Sequence, residues 1–242
     1  MIRVLRSAAY LTALVFGTLF FGGIVIAAAL LRVRQHPDSI YDWCPRSWAR
    51  VLIWAAGTPI KVTGFDQVPL DQPVVYVGNH QSWFDILALA AFLPGTHRFV
   101  AKKEMKKIPL LGWAMRSSGQ LFIDRQNRQA AVGALDETSA LIRLGTSAVL
   151  FPEGTRSRTG NMLPFKKGPF VLALSAQVPL VPMYCARTFD ILPKGSILLR
   201  PHAIELRFGA PIATEGLGYD TRERLMTESR RAIEALRAAG PT

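Results

Sequence analysis

The stretch Pro73-Val74-Val75-Tyr76-Val77-Gly78-Asn79-His80-Gln81-Ser82-Trp83-Phe84-Asp85 decides the fold. Residues 73–77 form an unbroken apolar run, β-branched and aromatic, of the kind that fills a strand covered on both faces. Gly78 and Asn79 end it. The small polar residues at 79–82 suit a tight turn, and residues 84–92 then take up helical spacing. A buried strand that passes through a short turn into a helix is a building unit of α/β sheets, and ligand sites in such sheets lie beyond the carboxyl ends of the strands. His80 stands at such an end.

Outward from this unit the texture repeats. Residues 98–101, 120–123, 148–151, 180–184, 197–200 and 204–208 are further strand candidates, each β-branched or aromatic and bounded by breakers. Residues 128–144 read as a helix with Ala131, Leu135, Thr138 and Ile142 on one face. A last helix is expected over 221–238, opened by a capping box of Asp220 with Glu223. Alternating strands and helices predict an α/β body with a mixed sheet flanked by helices. There is no G-x-S-x-G elbow, Walker A loop, G-x-G-x-x-G turn or HExxH pair, which removes most motif-bearing hydrolases, NTPases, dehydrogenases and zinc peptidases.

The N-terminal part differs in kind. Residues 8–31 carry no charge and are rich in Leu, Val, Ile, Phe and Ala. As a helix they would reach about 36 Å, enough to cross a bilayer core of about 30 Å. The run exceeds the apolar core of a signal peptide, so a retained anchor is expected. Residues 42–56 follow, with Trp43, Trp48 and Trp54 among Arg46, Arg50, Leu52 and Ile53. That composition fits a segment at the headgroup level and equally a helix packed on the main body. Membrane-anchoring helices over 1–57 and a catalytic domain over 58–242 are the expected organisation. Arg32, Arg34, Arg46 and Arg50 outnumber the two arginines ahead of the apolar run, so the body should face the cytoplasm, at an inner membrane.

The 242 residues are half hydrophobic yet carry 29 Lys+Arg against 17 Asp+Glu. The pairing predicts a globular body held against an anionic membrane surface or a phosphate-bearing ligand. Nucleic acid is not the expected partner, because no basic-aromatic platform or recognition motif is present. Cys44 and Cys185 lie far apart with no His cluster, so neither a disulfide framework nor a metal site is expected.

Three clusters carry chemistry. His80 and Asp85 are five apart; in a continuous helix they would diverge by about 140°, so they meet only if a turn separates strand from helix. Once met, the carboxylate fixes the imidazole tautomer and makes its other nitrogen a general base. Phe151-Pro152-Glu153-Gly154-Thr155-Arg156-Ser157-Arg158 follows another apolar strand, with glycine for close backbone approach, hydroxyls, and arginines that can grip a phosphate. Lys102-Lys103-Glu104-Met105-Lys106-Lys107 precedes Ile108-Pro109-Leu110-Leu111-Gly112-Trp113, a basic run interleaved with apolar residues. His36, His97 and His202 lack a comparable setting and read as surface or structural.

Taken in order, Asn79-His80-x4-Asp85, Gly119-x-x-Phe122-Ile123-x-Arg125, Phe151-Pro152-Glu153-Gly154-Thr155-Arg156-Ser157 and Val181-Pro182-Met183 resemble the four blocks of the glycerolipid acyltransferases, most closely the bacterial lysophosphatidic acid acyltransferases. The resemblance covers residues 61–211. It implies that His80, paired with Asp85, takes the proton from the free hydroxyl of a lysolipid, which attacks an acyl thioester. Arg125 and Arg156, with the backbone of Glu153, Gly154 and Thr155, would hold the glycerol phosphate. Lys102 and Lys103 would meet the phosphate of acceptor or donor, and Val181-Pro182 would shape the acyl pocket. The implied partners are a lysophospholipid acceptor and acyl-CoA or acyl carrier protein as co-substrate, with no metal or redox cofactor; the alternative acceptor is another lyso-lipid, such as a lyso-ornithine lipid or a different lysophospholipid.

Overall fold

The computed structural model describes residues 1–124, 128–192, 196 and 198–240. Two helices, α1 (Ile2–Leu30) and α2 (Ile40–Ala56), precede β1 (Ile60–Thr63). Then follow β2 (Val75–Gly78), α3 (Trp83–Phe92), β3 (His97–Lys102), α4 (Leu111–Ser117), β4 (Leu121–Ile123), α5 (Arg128–Arg143) and β5 (Ser147–Leu150). The chain ends with α6 (Gly168–Ala176), β6 (Leu180–Ala186), α7 (Thr188–Ile191), β7 (Ile204–Phe208) and α8 (Arg222–Ala238).

The strands form one seven-stranded sheet in the order β1-β7-β6-β2-β5-β3-β4. Every pairing is parallel except β6 with β7, so the expected mixed sheet is present. Strand β2 lies at the centre, and its alternation distributes side chains to both layers. Val74 and Tyr76 join a core with α1, α2 and α3, whereas Val75 and Val77 join the opposite core under α5, α6 and α8. Covering on both faces is why the run 73–77 shows no polar alternation.

The boundary between β2 and α3 follows from local chemistry. Ser82 is extended at the N-cap and its hydroxyl accepts from Phe84 N–H, while the Asp85 carboxylate reaches back to Ser82 N–H, a capping box. At the other end of the chain the expected box of Asp220 with Glu223 is absent. Thr221 makes no side-chain cap, and Glu223 pairs with Lys167 instead. Of the strand expected at 197–200, Ile197 lies outside the described residues, and 198–200 are irregular.

Helix α1 is long and apolar enough to cross a membrane, but it does not stand apart from the body. Its one face packs along the protein over its whole length. Leu199 N–H donates to Ser7 Oγ, Tyr10 stacks on Phe84, Trp48 Nε1–H donates to Thr18 Oγ1, and Gly22 approaches Ala114. The other face leaves Leu11, Val15, Phe16, Leu19 and Phe20 exposed. Helix α2 packs on the main body, one of the two readings of its sequence. Ala49, Leu52 and Ala56 are buried in the core, Trp48 packs inward, and Trp43 and Trp54 point outward.

Candidate active site

The carboxyl ends of β2 and β5 lie side by side, since Val77 and Leu150 are register partners. His80 leaves the first and Glu153-Gly154-Thr155-Arg156 the second, so the two clusters that are far apart in sequence converge. His80 Nδ1 donates to Asp85 Oδ2 at 2.8 Å. The turn demanded by the spacing is present, at residues 79–82. Asp85 is fully buried, and the same oxygen also accepts from Gln81 N–H at 2.7 Å and Ser82 N–H at 2.8 Å. These donors lie at the start of α3, where unpaired amides and the helix dipole favour an anion. A carboxylate can only accept, so the proton of the shared bond sits on Nδ1 and Nε2 is left with its lone pair. Phe151 stacks on the imidazole with ring centroids 4.1 Å apart, fixing its plane.

His80 opens onto a cavity of about 410 Å³. Its rim at this end is polar: Lys102, Gly154, Thr155 and Arg156. From there it follows the whole of β3, a length from Arg98 to Lys102 of about 13 Å at the usual strand rise. Its walls include Trp83, Ile86, Phe99, Met105, Leu111 and Met115, together with Phe21, Gly22 and Val25 of α1 and Trp48 of α2. At the opposite end Asp42 forms a buried salt bridge with Arg98 and accepts from Thr96 Oγ1 at 3.0 Å. His97 sits there too. Burial, then the charges of Arg46 and Arg98, push its imidazole down from 6.5 to about 4.

The residues singled out in the sequence separate into groups. Gly154 has φ +71°, in the left-handed region that glycine enters without strain, and it turns the chain so that Thr155 and Arg156 face the cavity. Among the described residues neither Arg156 nor Lys102 is in an ion pair. Lys103 instead pairs with Asp124, away from the cavity lining, and this hydrogen bond raises its ammonium above the ordinary value. Glu153 is buried, its carboxylate accepting from the backbone N–H of His80 and of Leu163. Arg125 lies outside the described residues. Val181-Pro182-Met183 is buried in β6 and does not line the cavity.

Sequence reasoning missed several residues. Phe151 opens the second cluster in the sequence without a role of its own, yet its ring holds the histidine plane. Asn79 is fully buried and grips Cys185 through both amide atoms, with bonds of 3.0 and 2.7 Å, which ties β2 to β6 just before His80. A buried polar residue at a strand end was the available signal. Nothing in the sequence linked Asp42 to Arg98.

The site can therefore take a proton at His80 Nε2, hold an anion at the Arg156 rim, and accommodate a long apolar group along β3. Comparisons with known proteins fall in line with that chemistry. A family model described as acyltransferase matches residues 59–186. The chain is 36% identical over 221 residues to the 1-acyl-sn-glycerol-3-phosphate acyltransferase of Saccharomyces cerevisiae, covering 89% of this chain and 71% of that one. It is 37% identical over 165 residues to the 1-acyl-sn-glycerol-3-phosphate acyltransferase alpha of Homo sapiens, covering 68% of this chain and 58% of the relative. Among solved structures it is similar to the crystal structure of the 1-acyl-sn-glycerophosphate (LPA) acyltransferase PlsC from Thermotoga maritima. There the TM-score is 0.79 and the identity 26%, over 99% of this chain and 98% of the other.

Proposed function

Since this chain belongs to the acyltransferase family, we propose that it transfers a fatty acyl group from an acyl thioester to the free hydroxyl of 1-acylglycerol-3-phosphate, giving phosphatidic acid. The observation that carries the reading is the His80–Asp85 pair at the mouth of an apolar cavity whose rim bears Arg156. His80 Nε2 accepts the hydroxyl proton as the oxygen attacks the thioester carbonyl. Asp85 holds the resulting imidazolium. Collapse of the tetrahedral adduct breaks the carbon–sulfur bond, and the leaving thiolate takes the proton back from His80. A thioester is already activated, so a base worth about 10²–10⁴-fold, together with positioning, suffices without a covalent nucleophile. The reading needs no metal or redox cofactor.

Arg156, with Thr155 beside it, is placed to hold the acceptor phosphate, a bidentate partner for guanidinium. The acyl chain lies along β3. The donor is acyl-CoA or acyl carrier protein, both anionic, approaching over Lys102. The exposed apolar face of α1 with Trp43 and Trp54 rests in the bilayer, and the body stands on the cytoplasmic side of an inner membrane. Purified protein given a labelled acyl thioester and, in parallel, 1-acylglycerol-3-phosphate and lyso-ornithine lipid should acylate the phosphate lipid preferentially. Preference for the phosphate-free lipid would overturn the acceptor assignment.

A further inference from the structure

We propose that Glu153 is a positioning residue that fastens the loop carrying Thr155 and Arg156 to the backbone of the catalytic base, and so sets the distance between base and phosphate grip. This deepens, and rests on, the acyl-transfer reading of the site. Glu153 follows β5, while His80 follows β2, and no covalent link within 70 positions joins them. The carboxylate does. Oε1 accepts from His80 N–H at 2.8 Å, and Oε2 accepts from Leu163 N–H at 2.9 Å, where the loop returns toward α6.

The other side of the same histidine is held by the same loop. Ser157 N–H donates to the His80 carbonyl at 2.8 Å, and Gln81 Nε2 donates to Gly160 O at 2.7 Å. His80 is thus gripped at both its N–H and its C=O by residues that flank Arg156. Any movement of that loop moves the base.

Both carboxylate oxygens of Glu153 are engaged by backbone, and the residue is 3% exposed. It presents no oxygen to the cavity, whose lining includes its neighbours Gly154, Thr155 and Arg156 but not Glu153. Burial outweighs the two amide bonds and the nearby His80, holding the carboxyl above the ordinary glutamate range. The geometry gives the reason for an acid here: two amide donors, one at each oxygen, need a side chain with two acceptors. Glutamine has the reach but only one acceptor, and aspartate has two acceptors but is a methylene too short to meet both amides.

The test uses the full chain in detergent, as wild type, E153Q and E153D. Two readouts are taken: amide hydrogen exchange across the peptides containing His80 and Leu163, and steady-state acyl transfer with acceptor concentration varied. Faster exchange is expected in E153Q in whichever of the two peptides, His80 or Leu163, loses its acceptor, with β6 unchanged. In the same variant kcat should fall about 10- to 100-fold while acceptor KM rises, because base and phosphate grip lose their register together. E153D should move both quantities in the same direction, and it carries the test alone if E153Q does not fold. Wild-type exchange in both peptides, or a rise in acceptor KM at unchanged kcat, would overturn the proposal. Exchange needs no substrate. Wild type that transfers no acyl group to this acceptor therefore overturns the functional reading alone, and the clamp is still decided by exchange.

Discussion

At the scale of single residues, Asp85 carries two duties that are separable by substitution. It caps α3 through Gln81 and Ser82 N–H, and it receives the His80 Nδ1 proton, all on one oxygen. In D85N an amide oxygen in the place of Oδ2 can still accept from Gln81 N–H, Ser82 N–H and His80 Nδ1–H. The negative charge that stabilises the imidazolium formed on proton uptake is lost. The expected result is a folded protein with kcat lowered on the order of 10³–10⁴-fold, as for a carboxylate-to-amide change in a catalytic triad. D85A should in addition lose stability, since it strands two buried N–H groups at about 1–3 kcal/mol each. Turnover compared with thermal unfolding for the two variants checks both halves. This pair was legible in the sequence because the turn-forming residues between strand and helix allow the two side chains to meet and because it stands first among four ordered blocks resembling one family; the five-residue spacing alone is a weak signal. The role of Glu153 was not legible. An acid next to a glycine and an arginine reads as part of a ligand grip, and only the approach of Leu163 and His80 from distant sequence shows its oxygens taken.

Among the elements, α1 gives the sharpest contrast within one helix. At Gly22 an added Cβ would lie 3.4 Å from Ala114 Cβ and 3.8 Å from Leu110 Cγ, whereas at Gly23 it would meet nothing within 4 Å. Gly22→Leu should push α1 off α4 and cost about 1–3 kcal/mol; Gly23→Ala should be neutral or slightly stabilising, by up to about 1 kcal/mol. Thermal unfolding of both in the same detergent measures the difference. The apolar run at 8–31 announced this helix. It did not announce that the helix lies against the body, because the small residues that permit contact look no different from those on the exposed face. Elsewhere, α6 escaped reading because Gly168–Ala176 is apolar all round, buried between sheet and α8, and so lacks helical periodicity. Strand β1 is a four-residue edge element with a lysine in it, too short to show alternation. The box expected at Asp220 failed for a different reason: Glu223 has a partner, Lys167, that sequence order could not reveal.

Over the whole molecule, the two ends of the cavity have opposite electrostatic tasks. One end carries the cations Lys102 and Arg156, while the far end holds a half-buried His97 beside Arg46, Arg98 and Asp42. The folded protein keeps this imidazole neutral down to about 4, and the unfolded chain binds its proton near 6.5. The unfolded state therefore takes up the proton first, and stability present above about 6.5 is lost as pH falls toward 4, by at most about 3 kcal/mol. In H97Q this part of the acid sensitivity should vanish, which unfolding midpoints across that range would register; an unchanged pH slope would contradict it. The measurement that bears most directly on the central claim is transfer of a labelled acyl group to 1-acylglycerol-3-phosphate by wild type and His80→Ala, in membranes carrying equal amounts of each protein. Wild type should form phosphatidic acid, and the variant should be slower by about 10²–10⁴-fold at unchanged membrane association. Phosphatidic acid formed at the wild-type rate by the variant would contradict the account.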